Sequence, residues 1–325
     1  MLLGTWNLEN LMLPRSGDGA PKTDAQYEAK VNDLASVITA LDPTLLGVQE
    51  VKQQEALDDL VKALGGEWHT ELSEHADGRG IRVGFLSRRE LRVSHDVTAF
   101  AARLDPVQTL DGQKPEDKEK ETSRGFLAVE LEGDDGPLQV AVAHLKSKLL
   151  SYPNKRFQPR DEAERARFGA YALFRRSAEA ATLRVLASEL LAGDGRERDV
   201  AVLGDMNDVV YAATTQILVG PPGSTLEKQD ERAFVQSDKG DAERLWDVAP
   251  LIPESRRFSR VSFKRAELID HILVSHRLVH RITQAGTGLP DEQGDALELP
   301  SVGENPADRV GTPGSDHAPV WIRIG

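Results

Sequence analysis

The run Asp199–Asp208, DVAVLGDMND, takes an unbroken apolar segment straight into a glycine and three polar residues. Val200–Leu203 is short and wholly apolar, which predicts a strand buried on both faces. Gly204 ends it, and Asp205, Asn207 and Asp208 follow at once. If the extended backbone continues, period-two spacing points Asp205 and Asn207 the same way. A carboxylate and an amide so placed suit a metal-assisted hydrolase: one holds or activates a water, the other donates to an oxyanion. By itself the motif would serve equally as a polar turn closing a core strand. The flanking sequence has to choose.

Outward from that run, the chain alternates strand and helix signals. Met1–Trp6 reads as a strand ending at Asn7, and Asp24–Leu41 as a helix with Tyr27, Val31, Leu34, Val37, Ile38 and Leu41 at helical spacing. Thr44–Gln49 is a strand ending at Glu50, and Glu55–Leu64 a helix closed by Gly65-Gly66. Strands are expected at Glu67–Leu72, Ile81–Ser87 and Leu91–Val97. Arg103–Thr122 reads as a solvated loop, followed by a hairpin, Phe126–Glu132 and Leu138–Ala143, about the turn GDDG. Asp161–Leu191 is mostly helical and Ala212–Leu218 a short helix. Further strands fall near Phe258–Phe263, Leu268–Val274 and Ala318–Ile324, with polar connections at Gly220–Asp241 and Gly286–Ser315. Without a repeat or a linker between separate cores, the expectation is one α/β domain over 1–325, mixed sheets covered by helices.

Composition bounds the function. A chain of 325 residues can bury roughly three quarters of its unfolded surface. Its 39% hydrophobic and 29% charged content is that of a soluble protein, with no run approaching the ~20 apolar residues of a membrane span. The opening MLLGTWNLEN lacks the basic and apolar regions of a signal peptide, so a cytoplasmic monomer is expected, a leader removed before this numbering being left open. No cysteine is present, which removes disulfides, thiolate metal sites and cysteine nucleophiles. A net charge of −13 argues against a protein that coats nucleic acid, but not against an enzyme meeting a polyanion through a metal and a local basic patch.

Polar residues recur where predicted strands end: Asn7, Glu50, His144, the pair Asp205 and Asn207, Asp270 inside ELIDHILV, and Asp316-His317 before the last strand. Each alone has a structural explanation. A carboxylate inside an apolar strand, however, needs a partner, and His317 is an available one for Asp270.

The set TWNLEN, GVQEV, SRGF, AHLKS, GDMND, IDHILVS and SDHAPV resembles the endonuclease/exonuclease/phosphatase (deoxyribonuclease I-like) superfamily, in family order from Asn7 to His317. The resemblance implies a four-layer sandwich of two mixed β-sheets flanked by helices. It also implies Mg²⁺ as cofactor, with Mn²⁺ or Ca²⁺ as alternatives, and Glu50, Asn7 and Asp316 as metal ligands. Asp205 and Asn207 would orient the attacking water and the scissile phosphate. Asp270 with His317 would be the Asp–His pair, His144 a second histidine, and Arg124, in SRGF, a phosphate-gripping arginine. The residue types fit the chemistry: a magnesium held by one or two carboxylates keeps open positions and polarises a phosphoryl oxygen. His317, charged by Asp270, would be a cationic stabiliser or else the base; Asp205 is the preferred base.

Within the superfamily, AHLKS stands where apurinic endonucleases carry a tyrosine motif, and IDHILVS lacks the inositol-phosphatase signature. No aromatic hairpin of the kind sphingomyelinases use for membrane contact is visible. GRGIRVGFLSR and AHLKSK resemble bacterial deoxyribonuclease-like nucleases. Lys146–Arg176 holds nine basic residues against three acidic ones, with Tyr152, Phe157, Phe168 and Tyr171 interleaved. Either this is an amphipathic helix with aromatics facing the core, or Lys146, Lys148 and their neighbours meet phosphates and the rings stack on bases. A nuclease acting on DNA or RNA is therefore expected, with a phosphatase or phosphodiesterase for a small phosphorylated molecule or lipid headgroup as the alternative. A catalytically silent binding module is a distant third.

Overall fold

The computed structural model describes residues 1–112, 114–222, 226, 240–290 and 314–325. The strands are β1 (Leu2–Leu11), β2 (Leu45–Val51), β3 (His69–Leu72), β4 (Arg82–Ser87), β5 (Arg92–Ala99), β6 (Val107–Gln108), β7 (Lys118–Glu119), β8 (Glu121–Gly133) and β9 (Gly136–His144). They continue as β10 (Asp199–Asp205), β11 (Trp246–Asp247), β12 (Arg260–Ser262), β13 (Arg265–Glu267), β14 (Asp270–Val274), β15 (Ile282–Thr287) and β16 (Val320–Ile324). Helices are α1 (Asp24–Leu41), α2 (Gln54–Leu64), α3 (Glu162–Leu191), α4 (Ala213–Val219) and a single turn, α5 (His276–Val279).

Two six-stranded sheets face each other, ordered β15-β16-β1-β2-β4-β3 and β11-β14-β10-β9-β8-β5. Each has one parallel pair at its centre, β1 with β2 and β9 with β10, and antiparallel neighbours outside. Strand alternation makes the layers. Leu3 and Leu45 point between the sheets, where they meet Val140, Val142, Ala201, Leu203 and Ile272. Trp6, Leu8, Leu46 and Val48 point outward under α1 and α2, and Val200 and Val202 outward under α3. The sheets come so close that a Cβ on Gly47 would sit 2.2 Å from Leu203 Cδ1. The architecture is thus helix, sheet, sheet, helix.

The ends of α1 follow local rules. Thr23 caps its N-terminus, accepting from the Gln26 amide, and Asp42 leaves it in a left-handed turn (φ 49°) ahead of Pro43. The structure differs from the sequence reading in several places. Arg103–Thr122 is not merely a loop: it holds the ribbon β6–β7 and a 3-10 turn, Pro115–Asp117, too short to leave a periodic signal. β15, an edge strand of mixed polarity, was not expected at all. The strand expected over Phe258–Phe263 is half of a hairpin, β12–β13. Its tip is Phe263, 90% exposed, so an aromatic hairpin exists where none was read from the sequence. The expected loops Gly220–Asp241 and Gly286–Ser315 lie largely outside the described residues.

Candidate active site

Alternation that aims Val142, Leu203 and Ile272 between the sheets also brings His144, Asp205 and Asp270 to one end of the same faces. They form a single row: Asp205 is registered opposite His144 on β9 and opposite Asp270 on β14. The facing sheet supplies Asn7, whose Nδ2 donates to Asp205 Oδ2 at 3.1 Å. The strand continues through Gly204 (φ 138°), where a Cβ would fall 1.9 Å from the Ala143 carbonyl oxygen; only glycine fits.

Past Asp205 the backbone does not stay extended. Asn207 is left-handed (φ 52°), and its amide N–H donates to Asp205 Oδ1 at 2.9 Å, an Asx-type turn. The two side chains are therefore brought together by a turn, not by strand periodicity. Asn207 Nδ2 donates to the Leu145 carbonyl at 3.0 Å, which leaves its second amide hydrogen and its oxygen for the cleft.

His317 Nδ1 lies 2.7 Å from Asp270 Oδ2, both buried, and Ser259 Oγ donates to the same oxygen at 2.6 Å. Burial opposes a charge on His317, but the carboxylates of Asp270, Asp205 and Asp316 overrule it and its pKa is raised to about 10. Asp205 is raised to about 7, by burial first and then by the Asp270 charge, with His317 pulling the other way. His144 Nε2 is 3.3 Å from Asp205 Oδ2, yet burial and the Arg124 and His317 cations hold this imidazole neutral, well below its usual pKa. Its Nδ1 and Asp270 Oδ1 find no hydrogen-bond partner among the described residues.

Glu50, which strand alternation would turn outward toward the helix layer, instead has a left-handed backbone (φ 65°) at a register shift between Gln49 and Val51. A matching irregularity in β1 leaves Glu9 and Asn10 left-handed, and the Asn10 amide donates to Glu50 Oε2 at 2.9 Å. Glu50 thereby lines a cleft of about 670 Å³ together with Asn7, Asp316, Asp205, Asn207, His144 and His317. Asp316 reaches it because its neighbours are pinned to β1: Ser315 Oγ donates to the Asn7 carbonyl at 2.6 Å and Trp6 Nε1 to the His317 carbonyl at 2.7 Å.

Two donor sets could take a metal. Asp205, Asp270 and His317 bring ligand-type atoms within 4.8 Å of one another. Imidazolium, however, has no lone pair to give, so that set binds only once His317 loses its proton. Glu50 and Asp316 line the same cleft with carboxylate oxygens, and buried Asn7 adds an amide oxygen that also accepts from the Glu9 amide at 2.9 Å. That hard donor set suits magnesium.

The expected phosphate-binding residues have other partners. Arg124, buried in the cleft wall, places Nη2 3.0 Å from Asp77 Oδ2, while its Nε has no partner among the described residues. Lys146 Nζ donates to the Ser147 and Leu149 carbonyls at 2.9 and 2.8 Å, and burial lowers its pKa to about 8. Lys148 Nζ sits 3.0 Å from Asp208 Oδ1. Arg156, Arg165, Arg167, Arg175 and Arg176 pair with Glu164, Glu162, Asp111, Glu179 and Asp208. Tyr152 and Phe168 are buried against each other, 5.0 Å between ring centroids. Most of the basic strip is thus neutralised internally and two of its aromatics are core; Phe157 alone of the four stands well out, 79% exposed.

The sequence reading missed the layer behind the site. Glu179, fully buried on α3, accepts from the Ser123 amide at 2.8 Å and hydroxyl at 2.6 Å, and from the Lys146 amide at 2.5 Å. It ties together the strands that carry Arg124 and His144. Arg176 does the same for Asp208 (3.2 Å) and the Lys146 carbonyl (3.1 Å). Their signal was present: two charges at positions 176 and 179 in line with Leu183 and Leu186, on the face that helical periodicity buries.

Two facing mixed sheets between helical layers, with carboxylates, amides and a histidine gathered at the ends of their central strands, define the deoxyribonuclease I-like class of fold. The chain belongs to the Endonuclease/Exonuclease/phosphatase family, whose model matches residues 4–317. That is a family of phosphoester hydrolases. Among solved structures, the chain is similar to the human Nocturnin catalytic domain with bound sulfate (16% identity, TM-score 0.55, covering 99% of this chain and 93% of that one). It is similar also to truncated TDP2 from Caenorhabditis elegans (13%, 0.53, 99% and 96%) and to a mannosyl-6-phosphatase from Bacteroides thetaiotaomicron (14%, 0.52, 100% and 99%). At these identities the likeness speaks for the fold alone. No curated protein sequence matches the chain, and no helix among the described residues is long and apolar enough to cross a membrane.

Proposed function

We propose that the whole chain acts as one catalytic unit, a magnesium-dependent phosphodiesterase that cleaves nucleic acid by attack of water on phosphorus. Glu50, Asn7 and Asp316 would hold the ion, which when bound supplies a Lewis acid for the phosphoryl oxygen. Asp205 receives the proton of the attacking water, held in place by Asn7 and by the Asn207 amide. His317, kept cationic by Asp270, stabilises the charge that grows on the phosphoryl and leaving oxygens. Neutral His144 can donate a hydrogen bond to a phosphate oxygen without adding to the repulsion between cations. The observation that carries this reading is the row His144–Asp205–Asp270, backed by His317 and opening on the cleft that Glu50 and Asp316 line.

The test uses metal-stripped protein on a single-stranded oligonucleotide, plasmid and bis-p-nitrophenyl phosphate, with and without added Mg²⁺. Activity should appear only with the metal, and Glu50→Gln, which keeps shape but loses an anionic oxygen, should need more of it. Full turnover in EDTA would sink the metal mechanism. The internal pairing of the basic strip favours a second reading, a small phosphomonoester as substrate. Release of inorganic phosphate from a monoester as the best reaction would select it.

A further inference from the structure

Beside the catalytic cleft lies a second groove of about 400 Å³. The two share Asn207, Arg260, Phe157, Leu149 and Ser147, so they are continuous at the catalytic amide. One wall is the segment after His144; the other is the hairpin β12–β13. Each wall presents a phenylalanine to solvent, Phe157 at 79% and Phe263 at 90% exposure. Neither ring serves folding where it stands. Phe263 occupies the first position of a two-residue turn with φ 47°, followed by Lys264 at 62°, positions that ordinarily go to asparagine and glycine. A bulky side chain held left-handed and in water is a local cost that packing does not return.

Both walls are fixed to the catalytic residues. Arg260 bridges to His317, the Ala318 amide donates to the Ser259 carbonyl at 2.8 Å, and Ser259 Oγ holds Asp270. Opposite, Leu145 is hydrogen-bonded to Asp205 and Asn207, and Arg156, the neighbour of Phe157, is held by two bonds to the buried Glu164. Arg260, 4.0 Å from Asp316 and lining both cavities, offers a cation where a phosphate chain would pass from one to the other.

We propose, resting on the hydrolase reading above, that this groove receives an unpaired nucleobase of the strand being cut, flanked by Phe157 and Phe263, with its phosphate led past Arg260 to Asn207. Planar rings that stack on any base and a cation beside them are the chemistry of sequence-tolerant single-strand binding. A groove of this volume has the size of a small-molecule site and admits one extruded nucleotide, not a stacked duplex. The enzyme therefore prefers single strands or frayed ends to intact duplex.

The probes are a fluorescein-labelled thymidine oligonucleotide and the matching chain of abasic deoxyribose phosphates, read by anisotropy in EDTA so that nothing is cleaved. The ratio of the two affinities measures what the bases contribute. In the parent it should favour the base-bearing strand by tenfold or more, and Phe157→Ala or Phe263→Ala should each cut it by about tenfold. Phe157→Trp and Phe263→Trp should keep it. A parent that does not bind the base-bearing strand, or binds both chains alike, overturns the proposal, as do alanine variants with the parent's ratio. Sedimentation with phosphatidylcholine vesicles that Phe263→Ala abolishes, without base preference, overturns it in favour of a lipid surface. Hydrolysis is followed apart from binding. A parent with the expected ratio that cleaves neither strand nor bis-p-nitrophenyl phosphate in Mg²⁺ keeps the groove and removes the hydrolase reading; the converse removes the groove alone.

Discussion

At the scale of the residue, the site depends on side chains whose charge is set by burial and by the charged neighbours around them. His317 would titrate near neutrality in water, and the 2.7 Å contact with Asp270 makes it a cation. Asp270→Asn keeps the shape and removes the charge, so turnover should fall by roughly 10² to 10⁴, the span of a positioned acid–base group. Near-normal turnover in that variant would make the pair structural. A second histidine is paired with a carboxylate for the sake of the fold. His271, buried, puts Nδ1 2.8 Å from Asp247 Oδ2 and Nε2 2.8 Å from the Asp208 carbonyl, two acceptors that ask for two protons. Burial lowers its pKa, but Asp247 outweighs it and the pKa is raised. A raised folded-state pKa stabilises fully below the unfolded value, about 6.5, and the gain is lost as pH rises through the folded value. Urea unfolding of the parent and His271→Gln should therefore show a stability gap that is widest below about pH 6.5 and narrows as the pH rises above it. A gap that is constant with pH would mean that His271 is neutral.

At the scale of the element, α3 does more than cover a sheet. Its buried face carries Leu183, Leu186 and Leu190 for packing, and then Glu179 and Arg176, which reach the ends of β8 and β9 and the turn after β10. A buried carboxylate is tolerated because backbone N–H groups fill its oxygens. Glu179→Gln keeps an acceptor but loses the charge, so the Ser123 and Lys146 backbones should loosen and His144 with them. We expect kcat to fall by up to about 10² with little change in KM, while circular dichroism stays native. A variant with a lower unfolding midpoint and unchanged kcat would limit Glu179 to stability. The irregular ends of β1 and β2 are the other device of this scale. Left-handed Glu9, Asn10 and Glu50 each cost on the order of 1 kcal/mol or more, and in return Glu50 turns into the cleft instead of under α2.

At the scale of the molecule, net charge and local charge part company. Most cations of Lys146–Arg176 are held by carboxylates of the fold, in a chain of net −13. Few counterions would then be released on binding a strand. The plot of log affinity against log salt should have a shallow slope, about −2 or less in magnitude. A slope steeper than about −4 would mean that these ion pairs open and that the segment does track the backbone.

Local chemistry made much of this legible in advance. Apolar period and punctuation marked α1, α2, the hairpin of β8 and β9, and the buried run of β10, because each is decided by neighbours within a few residues. Polar residues at strand ends were legible for the same reason: an Asp270 inside an apolar strand demands a partner wherever the chain goes. What the amino-acid order could not decide was which surfaces meet. Asp205 finds His144 and Asp270 through strand register, and Asn7 through the approach of the two sheets. Asn207 reaches the cleft through a left-handed turn that breaks strand periodicity, and Glu50 through a bulge that does so too. The basic strip was open to two readings, a solvated helix face or a polyanion track, until carboxylates distant in sequence, Asp111 and Asp208, came to lie beside it. Pairing across such separations is settled only when the sheets and helices pack, since the closure of those loops is driven by burial of the whole core and not by any one pair.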